Sequence, residues 1–327
     1  MKRIITVNIC LALLLAVTAL LSLKLGMLEI SWKEMVQIFT APEEYPAMII
    51  TELRLPRTLL AILAGAALAA AGVILQKVLH NDLAAPDILG ISGGAGCAGL
   101  TLLLIFPVYA EYLNGAAFAG ALLASSLICL AAWKRGVSPT RLILAGVALG
   151  AVFNTASGAL ILHNSDKLTG VMEFSMGGFA SRDMSDVHTS LPFFLAAFAA
   201  IAFLPKRLDR LALGEDEAAA FGLRVNRSRL LALSSAALAA ATAVSVSGLL
   251  GFVGLLAPHI GAKLSGTHRA APLLISAMLT GAELTLAADL TSRTLFAPRE
   301  LPCGLLLSGI GALFFLLLLL KERSFES

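Results

Sequence analysis

The sequence predicts an all-α, polytopic membrane protein with about ten transmembrane helices. Of its 327 residues, 58% are hydrophobic and 14% are charged, whereas about 25% of the residues in ordinary soluble domains are charged. The apolar residues are gathered into runs of about 14 to 23, and about 20 residues in a helix cross the hydrocarbon core of a bilayer. Runs of this length favour helices over barrel strands, so we expect one membrane domain over residues 1–327.

The predicted spans follow one another along the whole chain. They cover approximately residues 4–23, 58–79, 88–106, 115–133, 140–162, 187–204, 229–248, 252–266, 271–290 and 301–320. The first follows Lys2 and Arg3 but lacks a clear small-residue cleavage site, so we expect a retained helix and not a signal peptide. The eighth is short for a full crossing.

The basic residues predict the orientation of the chain. With a cytoplasmic amino terminus, the 24 lysines and arginines divide into 16 on the cytoplasmic side and 8 outside. The densest basic cluster lies in the loop at about 205–229. The positive-inside rule therefore places this loop and both termini in the cytoplasm. The net charge of +3 reflects this topology, and no basic patch with interleaved aromatic residues indicates a nucleic-acid partner.

No cofactor or catalytic motif is evident in the sequence. The four cysteines and five histidines show no ligand spacing, so we expect no metal site. The chain also lacks the G-x-x-x-x-G-K-[ST] phosphate loop. We therefore expect no catalytic residues, no cofactor bound by this chain, and no ATP hydrolysis by the chain alone.

Two pairs of similar segments suggest an internal repeat. LLAILAGAALAAAG from Leu59 is similar to LLALSSAALAAAT from Leu230, and APDI at Ala85 is similar to APHI at Ala257. In the predicted topology the two copies run in opposite directions, which is typical of transporters built from inverted halves. Chance similarity between alanine-rich stretches is the alternative. A real repeat predicts a five-plus-five arrangement, with a pathway between the halves or between two copies of the chain.

A few polar side chains fall inside the predicted spans. Glu283 and Asp289 have no evident basic partner in the sequence, and intramembrane acids often mark proton or ion relays. Asp289, near the outer end of its helix, is expected to be hydrated or capped, whereas Glu283 is harder to explain. Asn154, Thr155 and Ser157 give the fifth span a mildly polar stripe, which either lines a pathway or hydrogen-bonds another helix.

The stretch LGEDEAAAFGL, at 213–223, interrupts the apolar chain with three acids. Two glycines are predicted to bound a short helix, acids fill its first turn where the helix dipole favours them, and alanines with one phenylalanine leave a small, flat surface. These residues are Gly214, Glu215, Asp216, Glu217, Ala218, Ala219, Ala220, Phe221 and Gly222. Such a helix can dock in a groove, and an ordinary solvated loop is the alternative interpretation.

Five separated motifs resemble a known family. RLPRTLLAILAGAALAAAGVILQ, LHNDLAAPDILGISGGA, LALGEDEAAAFGLRV, GFVGLLAPHIGAKLSG and ADLTSRTLFAPRELPCGLLLSGIGALFF occur in that order between Arg54 and Phe315. They resemble the permease family of binding-protein-dependent ABC importers for iron-siderophores, haem and vitamin B12. The segments APDILG and RLDRLALG are most similar to permeases of ferric citrate and related ferric siderophore systems. The chain departs from the family pattern in GGFASRDM, in Lys263, and in Glu283 at a usually apolar position.

The resemblance implies the fold and the partners of the chain. It implies a type II ABC importer permease in the inner membrane, paired with an identical or related second permease subunit. ATP and Mg would bind to separate ABC ATPase subunits, and a periplasmic or lipid-anchored binding protein would deliver an iron chelate. Haem or cobalamin is the alternative cargo, and a proton-coupled secondary carrier using Glu283 and Asp289 is the alternative from another class.

The resemblance also implies roles for two groups of residues. The helix bounded by Gly214 and Gly222 would be the coupling element seated on the ATPase. Arg54, Arg57 and Arg293 match positions that receive glutamates from the two lobes of the binding protein. A guanidinium pairs bidentately with a carboxylate, which suits that role. Arginines whose heads snorkel to the membrane interface are the alternative interpretation.

Overall fold

The computed structural model describes residues 2–26, 28, 30–37, 45–133, 138–164, 170–295, 297 and 299–323. The regular structure of these residues is helical. The α-helices are α1 (Lys2–Lys24), α2 (Trp32–Gln37), α3 (Tyr45–Met48), α4 (Leu55–Leu79), α5 (Ile91–Ile105), α6 (Leu113–Ala132), α7 (Pro139–His163), α8 (Val171–Met176), α9 (Met184–Ala202), α10 (Pro205–Leu211), α11 (Glu215–Ala220), α12 (Val225–Ser247), α13 (Val253–Ser265), α14 (Ala270–Thr294) and α15 (Cys303–Arg323). A π-helical turn, Ile49–Arg54, leads into α4, and a 3₁₀ turn, Pro107–Tyr112, leads into α6.

Each predicted span coincides with one helix, in the order α1, α4, α5, α6, α7, α9, α12, α13, α14 and α15. Seven helical segments among the described residues are long and apolar enough to cross a membrane. Among the other three, α5 and α13 have 15 and 13 residues, whereas α15 has 21. A 15-residue helix extends about 22 Å, less than the bilayer core of about 30 Å. The all-α membrane fold is confirmed, and the count of ten spans is approximate.

The core of the bundle is formed by α4, α12 and α14. In the apolar stretches of these three helices, 83%, 78% and 61% of the residues are buried, whereas in the apolar stretches of α1 and α7 only 6% and 11% are buried. The most extensive helix pairings are those of α4 with α14, of α5 with α6, and of α4 with α12. The apolar side chains of α1 and α7 therefore lie at the periphery of the chain.

Small residues allow the central helices to approach at backbone distance. A Cβ atom on Gly65 of α4 would lie 2.3 Å from the carbonyl oxygen of Gly281 in α14, and one on Gly72 would lie 1.8 Å from that of Gly254 in α13. These distances are far below van der Waals contact. Because no hydrophobic effect drives helices together in lipid, such close backbone packing is a main source of their association.

The peripheral helix α1 is attached to α13 and α14 by polar side chains along its length. Arg3 donates to the carbonyl oxygens of Lys263 and Leu264, at 2.9 and 3.0 Å. Further along α1, three side chains meet α14: Asn8 with Ser276, Thr18 with Glu283, and Ser22 with Arg293. These contacts hold α1 against the bundle although few of its side chains are buried.

The similar segments that suggest an inverted repeat lie in partly different structures. The copies from Leu59 and Leu230 lie in α4 and α12, which pack together in the core. APDI, however, lies in the turns before α5, whereas APHI lies inside α13. The five-plus-five symmetry stays a prediction.

Candidate functional site

The predicted docking segment forms a short helix, α11, with glycine at both ends. Gly214 has a φ of 114° and Gly222 a φ of 74°, values in the region that favours glycine. Glu215, Asp216 and Glu217 occupy the first turn of α11. The predicted boundaries and the placement of the acids are confirmed.

One face of α11 is apolar and exposed. Ala219 and Ala220 are exposed, Phe221 is 65% exposed, and Leu213 on the preceding turn is 54% exposed. Ala218 was expected to belong to this surface, but it is fully buried because it faces the bundle. The exposed apolar surface of this segment is therefore formed by Leu213, Ala219, Ala220 and Phe221.

An arginine at the start of α12 anchors α11 to the bundle. The side chain of Arg229 is 1% exposed, and its Nη1 donates to Oε1 of Glu215 at 2.9 Å. Glu215 is itself 59% exposed, so the ion pair lies at the edge of the buried region. Glu215 therefore restrains the first turn of α11, while Asp216 and Glu217 are exposed.

The arginines predicted to dock a binding protein lie at the opposite end of α4 from α11 and are buried. Nε of Arg57 donates to both carboxylate oxygens of Asp289 at 2.9 Å, and its Nη1 donates to Glu300 Oε2 at 2.8 Å. Arg57 is 8% exposed and Asp289 is 0% exposed, whereas the Glu300 side chain is 29% exposed. The ion pair joins α4 to α14, and Glu300 covers it from the surface.

The other two arginines bind the carbonyl end of α1. Nη2 of Arg293 donates to the carbonyl oxygen and to Oγ of Ser22, both at 2.6 Å, and its Nε lies 3.7 Å from Asp289 Oδ2. Nη1 of Arg54 donates to the carbonyl oxygens of Leu23 and Lys24, at 2.8 and 2.6 Å. The carbonyl groups in the last turn of a helix have no partner within it, and a cation stabilises them. We call Arg54, Arg57, Asp289, Arg293 and Glu300 the arginine cluster.

The two acids predicted to lie without a basic partner differ in the structure. For Asp289 that expectation was wrong, and so was the expectation of a hydrated or capped carboxylate, because Asp289 is fully buried between Arg57 and Arg293. Glu283 accepts a hydrogen bond from Thr18 Oγ1 at 2.8 Å, and its other carboxylate oxygen has no partner among the described residues. Glu283 therefore meets α1 through a hydroxyl and not through a cation.

The polar stripe of α7 lies on an exposed part of the chain. Asn154 and Thr155 are exposed and Ser157 is half-buried. Asn154 also lines a cavity of about 260 Å³, together with Asp87, Ser92, Gly93, Gly251 and Ser308. Burial raises the pKa of Asp87, which lies in the turns before α5, because the ionised carboxylate loses water. Of the predicted pathway residues, Asn154 thus borders a cavity, whereas Thr155 and Ser157 are not among its lining residues.

The structure adds residues that the sequence pattern did not single out. Glu300 lies in the connection between α14 and α15, and Asp209 lies in α10. Both acids sit close in sequence to basic residues, and only the fold shows which cation each one meets. Among the described residues, no group of three histidine, cysteine, aspartate or glutamate side chains is placed to hold a metal ion.

Comparison with known proteins gives consistent matches over nearly the whole chain. Residues 14–321 match the FecCD transport family. The chain is similar to the Fe(3+)-citrate import system permease protein YfmE of Bacillus subtilis (strain 168), with 38% identity over 322 residues, covering 98% of this chain and 96% of the relative. It is 36% identical over 320 residues to the Fe(3+) dicitrate transport system permease protein FecD of Escherichia coli (strain K12), covering 98% and 99%. The hemin transport system permease protein HmuU of Yersinia pestis is 37% identical over 325 residues, covering 97% and 96%.

Solved structures show the same fold. An inward-facing conformation of a metal-chelate type ABC transporter superposes with a TM-score of 0.85 and 31% identity, covering 97% of this chain and 99% of the other. PsaBC from Streptococcus pneumoniae, solved in complex with Fab, superposes with a TM-score of 0.56 and 18% identity, covering 87% and 94%. The second likeness concerns the fold alone.

Proposed function

The chain belongs to the FecCD transport family and is a permease subunit of an ABC importer, and from this premise we propose that its cargo is a ferric chelate of the citrate or siderophore type. The similarity to two ferric citrate permeases supports this cargo. A hemin permease is 37% identical and a cobalamin permease of Halobacterium salinarum is 33% identical. Haem and cobalamin are therefore the alternative cargoes.

We propose that α11 is the coupling element that sits on a separate ATPase subunit, which binds ATP and Mg. The observation that carries this proposal is the exposed apolar surface of Leu213, Ala219, Ala220 and Phe221 beside three acids. Leu213 and Phe221 would be costly to leave in water, and small alanines permit close contact with a groove. In this arrangement nucleotide-driven closure of the ATPase displaces α10 and α11. The dense basic cluster of this loop favours the cytoplasmic side, with both termini there.

A second permease subunit, identical or related, would face α7 and complete the pathway. Asn154 and Thr155 are polar and exposed near the middle of a helix long enough to span the membrane. Lipid cannot satisfy such groups, so they favour a protein partner or a water-filled pathway. Alternating access would then move the chelate between the two subunits without covalent change, after delivery by a periplasmic or lipid-anchored binding protein. The remaining surface meets the lipid of the inner membrane.

We propose that the arginine cluster receives the binding protein at the outer face. Its three guanidinium groups bind carboxylate and carbonyl groups of the chain itself, and Glu300 is the most accessible of these partners. A carboxylate from the binding protein would reach Arg57 by taking the place of Glu300. The rival mechanism, a proton-coupled carrier, is left with Glu283, since Asp289 is neutralised by Arg57 and Arg293.

One experiment tests the cargo and the energy source together. The permease is reconstituted in vesicles with its ATPase and with binding protein loaded with ferric citrate, another ferric siderophore, haem or cobalamin. ATP hydrolysis should rise most with one of the two ferric chelates. A response to haem or cobalamin alone would refute the proposed cargo. Uptake that continues without ATP but stops with an uncoupler would favour the proton-coupled carrier.

A further inference from the structure

The loop at about 205–229, which contains α10 and α11, is called the coupling loop below, and one of its carboxylates caps the core helix α14. Asp209 in α10 accepts a hydrogen bond from the backbone N–H of Ala270, the first residue of α14, at 2.7 Å. The first N–H groups of a helix have no partner within it, and the helix dipole favours an anion there. Here the anion comes from another helix, 61 residues earlier in the chain. Asp209 therefore links the position of α10 to the start of α14.

The same carboxylate lies beside the inner end of α4. Lys77 Nζ lies 3.9 Å from Asp209 Oδ1 and donates to the carbonyl oxygen of His268 at 2.6 Å. His80, the residue that follows α4, places its Nε2 2.9 Å from the carbonyl oxygen of Leu211. The polar contacts of α10 thus reach α4 and α14 together.

The helices α4 and α14 are packed together along the bundle, from the end beside α10 to the end at the arginine cluster. Gly65 and Gly281 bring their backbones into direct contact near the middle. Arg57 and Asp289 join them at the end opposite α10 through a buried ion pair. Because packed helices joined at both ends resist sliding, a displacement applied at Ala270 is passed to the arginine cluster.

Other contacts of the coupling loop are less suited to passing a displacement to α14. Leu208 and Leu211 are buried and hold α10 against the bundle, but apolar contacts are non-directional. Between the loop and α13, a cavity of about 500 Å³ is lined by Lys77, His80, Ala212, His259, Lys263 and His268. The loop is therefore not packed tightly against α13. Its directed contacts include the Arg229–Glu215 pair to α12 and the His80–Leu211 contact to α4, and among the described residues Asp209 is the one that reaches the start of α14.

We propose that Asp209 is a positioning residue that transmits the movement of the coupling loop to the α4–α14 pair. This inference rests on the proposed role of α11 as the element seated on the ATPase. Displacement of α10 by the ATPase would pull or release the first turn of α14 through the Asp209 carboxylate. The step that depends on the Asp209 contact is the opening of the transport pathway, not ATP hydrolysis itself.

The test compares Asp209→Ala, Asp209→Asn and Asp82→Asn in the reconstituted importer. Asp209→Ala removes both the charge and the acceptor, whereas Asp209→Asn keeps an oxygen that can accept from Ala270 N–H. Asp82→Asn is the matched control, because it removes an exposed acid near Lys77 that belongs to the loop after α4. We expect Asp209→Ala to lower uptake per ATP hydrolysed by about tenfold, from a coupling of ordinary size. Asp209→Asn should lie between Asp209→Ala and the wild type, and the control should equal the wild type.

Two readouts separate transmission from a structural role. A structural defect lowers assembly, ATP hydrolysis and uptake together, whereas lost transmission lowers uptake while assembly and hydrolysis persist. Hydrogen exchange at the start of α14 should respond to nucleotide in the wild type and not in Asp209→Ala. Unchanged uptake per ATP in Asp209→Ala, or equal losses of hydrolysis and uptake, would overturn the proposal.

The outcome also distinguishes this inference from the role of α11. If Ala219→Arg uncouples the importer and Asp209→Ala does not, the ATPase acts through α11 but its signal takes another route. If Ala219→Arg has no effect, the proposed role of α11 fails first. Uncoupling by both variants supports both statements.

Discussion

Arg57 and Asp289 form a buried ion pair between α4 and α14, in which Nε of the arginine donates a bifurcated hydrogen bond to both carboxylate oxygens at 2.9 Å. Removal of Asp289 takes the buried carboxylate away from Arg57 and Arg293, which keep Glu300 and Ser22 as partners, and breaking such a buried pair costs about 3 to 5 kcal/mol. We expect Asp289→Leu to lower the thermal unfolding temperature of the purified permease markedly. The double variant Arg57→Met with Asp289→Leu should lose less than the sum of the single losses, because it leaves no uncompensated charge in the pair. Additive losses would show that the two charges do not interact.

The contact of Gly65 with Gly281 predicts a second effect on stability. A methyl group at residue 65 would overlap the backbone of α14, since its Cβ would lie 2.3 Å from a carbonyl oxygen. We expect Gly65→Ala to destabilise the permease by about 1 to 3 kcal/mol through overpacking. Gly115→Ala is the control, because nothing lies within 4 Å of a Cβ there. Equal unfolding temperatures for the two variants would contradict the close packing of α4 and α14.

The helices and their order could be predicted because lipid leaves little choice. Apolar runs of sufficient length form helices, and the ten predicted spans coincide with α-helices at nearly their predicted positions. The eighth predicted span was recognised as short for a full crossing from its length alone. The helix that forms it, α13, is the shortest of these ten helices, at 13 residues. The bounds of α11 also followed from local chemistry, because Gly214 and Gly222 adopt backbone angles that other residues disfavour.

The partners of charged residues could not be predicted, because they are distant in sequence. Arg57 and Asp289 are separated by 232 residues, and Asp209 and Ala270 by 61. A sequence pattern indicates which face of a helix is polar but not which helix it meets. For the same reason the pattern placed Ala218 on the exposed face of α11, whereas contact with the bundle buries it.

The contact of Glu283 with Thr18 predicts the result of a test for proton coupling. Glu283→Gln keeps the size of the side chain and its ability to accept from Thr18, but it cannot bind and release a proton. If Glu283 serves to attach α1, ATP-driven uptake by Glu283→Gln should equal that of the wild type, with and without an uncoupler. Glu283→Leu should instead weaken the attachment of α1, seen as faster proteolysis or a lower unfolding temperature. Loss of uptake in Glu283→Gln with normal assembly would support a proton relay.

The exposed face of α11 predicts a defect in coupling. Ala219 is exposed between Phe221 and the acids of the first turn, and a large charged side chain cannot enter a close-packed interface there. We expect Ala219→Arg to uncouple ATP hydrolysis from uptake or to release the ATPase. Ala219→Ser, which stays small, should behave as the wild type. Normal uptake by Ala219→Arg in a correctly assembled importer would exclude docking through this face.

The 2.8 Å contact between Arg57 and Glu300 gives the sharpest test of binding-protein docking. Arg57→Glu would place a third carboxylate beside Asp289 and Glu300, so its loss of uptake could reflect misfolding. Glu300→Gln instead removes a competing anion while leaving the Arg57–Asp289 pair intact. If a carboxylate of the binding protein replaces Glu300, Glu300→Gln should tighten association, by about fivefold for a contact worth about 1 kcal/mol.

The matched control is Glu111→Gln, which removes the same charge from an exposed residue in the 3₁₀ turn before α6, remote in sequence from the cluster. Association of the wild type should weaken as salt rises, because exposed charges are screened beyond about 8 to 10 Å at physiological ionic strength. Glu300→Gln should bind the binding protein more tightly than Glu111→Gln does at every salt concentration up to physiological ionic strength. Equal affinities for the two variants would mean that the binding protein does not reach Arg57, and the arginine cluster would then serve only to join α1, α4 and α14.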